Sequence, residues 1–144
     1  MTKKRTGDPW RTAADYGRAL PTFSVNLIVR DIERSLRFYT DVLGATVHYS
    51  DPDFAALALA GVEFMLHADH SYDNHALFST LAGDGPRGVG AELRVLGVDP
   101  DVVQRRADTH GARIVQSAGD RGHGWRDIIV ADPDGYIWAV GVPI

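Results

Sequence analysis

The side chains of this 144-residue chain that could do chemistry lie in three short runs, Val62 to His70, Ala91 to Leu96 and Gly122 to Arg126. Alternation along Val62 to Ala68 sets Val62, Phe64 and Leu66 on one face and Glu63, Met65 and His67 on the other. In the second run Leu93 and Val95 form the apolar face, which leaves Glu92 and Arg94 together opposite if Gly97 marks a one-residue bulge. Glu92, Glu63 and His67 are the donors from which a divalent metal site could be assembled. The plainer alternative, which we favour, pairs Glu92 with Arg94 or Arg126 and leaves His67 at a sheet rim. The run His67-Ala68-Asp69-His70 is not a zinc motif: helical motifs set two histidines four apart, and strand positions three apart point to opposite faces.

The remaining histidines, His48, His75, His110 and His123, fall at predicted element ends or in loops, where a solvated imidazole is expected. His123 has the best reach to a cavity mouth, because its loop leads through Trp125 into a strand. Trp125 itself is expected at a rim, as an aromatic wall for a ligand, whereas Trp138 should face the helices. There is no Gly-x-Ser-x-Gly elbow and no Gly-x-Gly-x-x-Gly turn, so nucleophilic hydrolysis and dinucleotide binding have no support. The absence of cysteine removes thiolate metal cages, cysteine nucleophiles and disulfides.

The elements that must hold these residues repeat. Phe23 to Val29 alternates as a strand, Asp31 caps a predicted helix through Leu43, and Gly44 stops it. Three extended segments follow, Thr46 to Ser50, Phe54 to Ala60 and Val62 to Ala68. The order then recurs: a strand over Ala91 to Val98, a helix from Asp99-Pro100 to His110 stopped by Gly111, and strands over Arg126 to Ala131 and Tyr136 to Val142. Whether Val115 to Trp125 holds a further strand is open. Asp132-Pro133-Asp134-Gly135 is the turn of the last hairpin. The chain divides into an arm (1–20) and one domain (21–144), made of module one (22–69), a connector (70–89) and module two (90–144). In the connector Asn74 is expected to cap a short helix through Leu81. Each module is too short to enclose its own core, so sheet pairing across modules is expected. The arm buries little alone, and Trp10 and Tyr16 are expected to dock on the body or on a partner subunit.

Composition narrows the partners. Fifteen Lys and Arg against nineteen Asp and Glu give a net charge of -4, which offers no field to gather nucleic-acid phosphates. No window approaches a membrane span or the apolar core of a signal peptide, so a cytoplasmic location is expected.

Two stretches carry a resemblance. The run Val29-Arg30-Asp31-Ile32-Glu33-Arg34-Ser35-Leu36-Arg37-Phe38-Tyr39 with Val42-Leu43-Gly44, and the closing Gly124-Trp125-Arg126-Asp127 and Asp132-Pro133-Asp134-Gly135-Tyr136-Ile137-Trp138, resemble the vicinal oxygen chelate superfamily. That group includes glyoxalases, extradiol dioxygenases and bleomycin-binding proteins, and the closing stretch is most similar to the bleomycin-resistance-like branch. The resemblance implies an α+β fold of two βαβββ modules whose curled mixed sheets surround a cavity, with helices on the convex side, and a homodimer. It also implies metal ligands at Ser24 and Ala139, whose side chains are unsuited to that task, and a first-strand ligand position in module two at Glu92. The expectation is therefore a small-molecule binder with no cofactor, its ligand cationic or aromatic. Ser24, Asn26, Glu63, Met65, His67, Glu92, Arg94, Trp125 and Arg126 are its candidate ligand-binding residues. The alternative is a metal-dependent lyase, isomerase or dioxygenase of the same superfamily, using a divalent ion at Glu92, Glu63 and His67.

Overall fold

A computed structural model describes residues 1–144. A short arm helix α1 (Ala13–Ala19) precedes module one: β1 (Asn26–Val29), α2 (Ile32–Asp41), β2 (Thr46–Ser50), β3 (Phe54–Leu59) and β4 (Val62–Ala68). Module two repeats the order in β5 (Glu92–Leu96), α3 (Pro100–His110), β6 (Arg113–Asp120), β7 (Trp125–Ala131) and β8 (Ile137–Pro143). No helix is long and apolar enough to cross a membrane.

The two core helices start and stop by the same chemistry. The Asp31 carboxylate accepts the Arg34 N–H at 2.7 Å, and Asp99 accepts those of Asp101 and Val102 at 2.9 and 3.3 Å. Gly44 and Gly111 end them with φ of 76° and 69°, a left-handed turn that a side chain would strain.

Each sheet is unclosed and has the same order, β1-β4-β3-β2 and β5-β8-β7-β6. Within each, the first strand runs parallel to the last and the other pairs are antiparallel. The expected pairing of sheets across modules is not found: every strand partner lies within its own module. The modules join instead through one core of 21 buried residues, where Tyr39 of α2, Phe64 of β4 and Trp138 of β8 pack with ring centroids 5.1 to 5.6 Å apart. Sharing a core meets the same need as sharing a sheet, because neither module could bury this much apolar surface alone.

A strand does enter the stretch from Val115 to Trp125 as the far part of β6, whose mostly exposed residues and shifted register leave no two-residue alternation to read. The connector differs from expectation. Two 3₁₀ turns, Asp69–Tyr72 and Phe78–Leu81, replace the helix from Asn74, since the His75 imidazole takes the Leu77 N–H at 3.1 Å and three-residue bonds close the chain around it.

Candidate functional site

Alternation places the candidate residues as follows. In β4, Phe64 and Leu66 enter the core while Glu63, Met65 and His67 face the other way. In β5, Val95 enters the core and Glu92 and Arg94 turn outward beside Ile137 and Ala139. Glu63 and Glu92 both stand near the starts of their strands, and there the modules meet at a seam. A cleft of about 290 Å³ opens at this seam, floored by Phe64 and Trp138, walled by Phe23 and Leu93, and edged by Glu63, Glu92 and Arg94.

The seam cleft combines an apolar floor with acidic polar groups. Arg94 Nη1 donates to Glu92 Oε1 at 2.5 Å, while its guanidinium lies 4.6 Å from the Trp125 ring centroid and 3.8 Å from Asp127 Oδ2. Glu63 pairs with His48 at 3.3 Å on the surface, and its charge adds to burial in raising the pKa of Tyr16 in the arm. The lining thus sets two carboxylates, Glu63 and Glu92, against the one guanidinium of Arg94, which is paired with Glu92.

His67 does not reach this cleft. Its Nδ1 lies 2.7 Å from Asn26 Oδ1, and because the Asn26 amide nitrogen donates to the Tyr72 hydroxyl, Oδ1 must accept and Nδ1 must carry the proton. Phe54 and Tyr72 pack on the ring at 4.9 and 5.1 Å. Burial lowers its pKa to about 4, so the imidazole is neutral. Met65 beside it is buried, and the Ser24 hydroxyl donates to the Pro21 carbonyl at 3.3 Å. His70 belongs to a separate group, with Nε2 2.7 Å from Asp53 Oδ1.

A divalent metal does not fit these side chains. Ser24 is engaged with backbone, Ala139 is fully buried and carries no donor, and His67 is held by Asn26. Glu63, Glu92 and His67 do not converge, and no three His, Asp or Glu side chains stand close enough to share an ion.

The last sequence run divides between two faces. Trp125 lies on the outer face against Arg94, while Arg126 lies on the helix face. Its guanidinium grips Asp101 of α3 at 2.9 and 2.7 Å and Asp120 at 3.0 Å, so it is withdrawn from the other candidates. Sequence reasoning passed over Asp127. It is buried on the outer face, 2.8 Å from Arg121 Nε and 3.7 Å from His123 Nε2, with Arg94 beyond. The signal was present in the alternation, which puts an acid on the same face as Ile129 and so requires cationic partners.

Another cleft, about 670 Å³, lies on the helix side between α2 and the Asp132–Gly135 turn. Its central polar groups are committed to one another: Arg30 and Arg34 both reach Asp134 Oδ1, at 3.0 and 3.3 Å, and the Tyr39 hydroxyl donates to Asp132. These bonds join the modules.

Comparison with known proteins agrees with this architecture. The family model described as the Glyoxalase/Bleomycin resistance protein/Dioxygenase superfamily matches residues 23–140. An uncharacterized protein of Mycobacterium bovis is 31% identical over 132 residues, covering 86% of this chain and 84% of its own length. Among solved structures, a glyoxalase-related enzyme from Fulvimarina pelagi superposes with a TM-score of 0.68 at 20% identity, covering 85% of this chain and 87% of that one. A fosfomycin resistance protein from Mesorhizobium loti superposes with a TM-score of 0.59 at 15% identity, covering 86% and 92%. At these identities the solved structures speak to the fold alone.

Proposed function

The chain belongs to the glyoxalase/bleomycin resistance protein/dioxygenase superfamily, and we propose that this member is a metal-independent protein that binds or sequesters a small molecule with an apolar or aromatic body and a cationic head. The observation that carries the reading is the seam cleft, whose floor of Phe64 and Trp138 suits an apolar body and whose rim sets Glu63 and Glu92 against a single Arg94. An ammonium group at that rim gains from Glu63, the less committed carboxylate, without competing for the short Glu92–Arg94 bond. The net charge of -4 favours the same sign of ligand and disfavours nucleic acid.

The reading includes a cytoplasmic homodimer. Phe23 and Val89 are 82% and 79% exposed, and β2 and β6 are free edges, features that a second copy would cover. The test is a thermal-shift screen of paired amines and carboxylic acids of matched shape. Stabilisation by the amines and not by the acids, lost in Glu63→Gln, supports the assignment; equal shifts from both sets contradict it.

A further inference from the structure

The arm is fastened across the outer face of the module-one sheet. The Lys4 and Arg5 backbone N–H groups donate to Asp53 at 2.7 and 3.3 Å, and the Thr2 N–H donates to Asp73 at 3.1 Å. Burial pushes the Asp53 carboxyl up, but the bonds from His70, Lys4 and Arg5 outweigh it and hold the group below its ordinary range. Beyond this clamp the arm sets down two rings. Trp10 stacks on Tyr49, with centroids 5.4 Å apart and planes 17° apart, and Tyr16 meets Phe54 edge-on at 5.1 Å.

Under those two rings the sheet carries a continuous aromatic row. Tyr49 is 6.4 Å from Phe54, Phe54 is 4.9 Å from His67, and His67 is 5.1 Å from Tyr72. The row is desolvated enough to keep His67 neutral, so it offers planar, uncharged surface. The cover, by contrast, is shallow. Helix α1 buries none of its residues, Trp10 remains 46% exposed, and the 21-residue core contains no arm residue. Residues 1–5 are anchored by the Arg5 ion pair and backbone bonds to buried Asp53, but the segment beyond them, which carries Trp10 and Tyr16, is held by surface stacks and belongs to the low-stability end of a structure, where local opening precedes global unfolding.

We propose that the arm is a displaceable occupant of a binding face for a planar aromatic molecule, formed by Tyr49, Phe54 and His67, with Trp10 and Tyr16 standing in the place of that ligand. Offset stacking on Tyr49 and edge contact with Phe54 are the interactions a fused aromatic ring system would make there. This site is separate from the seam cleft, which none of Tyr49, Phe54 and His67 lines, and the proposal does not depend on the cationic reading.

The test uses 8-anilinonaphthalene-1-sulfonate as the planar probe, titrated into the full chain and into the full chain carrying Trp10→Ala and Tyr16→Ala. Binding about tenfold tighter in the double variant is expected, together with displacement of the probe by a synthetic peptide of residues 1–20. Adding Tyr49→Ala to the double variant should remove the gain. Tyr49→Leu, which keeps apolar bulk without a ring, serves as a second check should the alanine variant melt early. Equal affinity in the wild-type and double-variant chains, a gain that survives loss of the Tyr49 ring, or a peptide that fails to compete would each overturn the proposal.

Discussion

The Tyr39 hydroxyl donates to Asp132 Oδ2 at 2.7 Å, joining α2 of module one to the turn that precedes the last strand of module two. The same oxygen accepts the Trp138 indole N–H at 3.2 Å, so one phenol satisfies two buried groups from the other module. Tyr39→Phe keeps the ring packing and removes the partner of Asp132 Oδ2 and of the Trp138 indole N–H, while Asp132 Oδ1 keeps the Asp134 and Tyr136 N–H groups. A loss of about 1–3 kcal/mol is expected, measured by urea denaturation with an unchanged dependence on denaturant. No loss would mean that these two bonds add nothing to the apolar packing and to the Arg30 and Arg34 bonds with Asp134 that also join the modules.

Two buried groups give opposite pH dependences in one window. Burial, reinforced by the neighbouring Asp134 charge, raises the Asp132 pKa to about 6 against the bonds it accepts, so its stability contribution is full below the ordinary carboxylate range and falls as pH rises from about 4 to about 6. Burial lowers the His67 pKa to about 4, so its contribution is full above about 6.5 and is lost as pH falls toward 4. Each amounts to roughly 3 kcal/mol at most. The wild-type profile should therefore be nearly flat between pH 4 and 6.5. His67→Gln should leave stability falling with pH, and Asp132→Asn should leave it rising; identical profiles for the two variants would contradict both assignments.

Assembly is accessible to light scattering. A dimeric mass is expected at micromolar concentration, and Phe23→Ser, which alters the most exposed large apolar side chain next to the arm, should weaken it. A monomeric mass across that range would remove the second copy from the proposed function.

Metal titration checks the donor analysis. With Ser24 and Ala139 at the positions where the family resemblance implies ligands, added zinc, nickel, manganese or iron(II) should neither bind stoichiometrically nor raise the melting temperature. One tightly bound ion per chain, abolished by Glu92→Ala or His67→Ala, would instead promote the metal-dependent alternative.

Much of this arrangement was legible in the sequence. Strand alternation put Glu63, Met65 and His67 on one face, and Glu92 with Arg94 on one face, because a two-residue period is fixed by backbone geometry. The Asp and Gly helix signals worked for the same local reason. What failed was non-local. Arg126 follows Trp125 directly, yet adjacent strand residues oppose each other, and only the packing of α3 on β7 brings Asp101 to it. His67 could not be separated from the carboxylates, since its partners Asn26, Phe54 and Tyr72 come from three other segments. The arm's seat on Asp53 and Tyr49 likewise joins positions more than 30 apart, with no periodic pattern to announce it.

The charge preference of the seam cleft is read most directly by isothermal titration with 2-phenylethylamine and 3-phenylpropanoate, which share a phenylethyl body and differ in the sign of the head. The amine should bind and the acid should not, and Glu63→Gln with Glu92→Gln should weaken the amine by about tenfold, near 1.4 kcal/mol, while the melting temperature without ligand stays within a few degrees. Acid binding as tight as the amine, or an amine affinity untouched by removal of both carboxylates, would contradict a cation-selective seam.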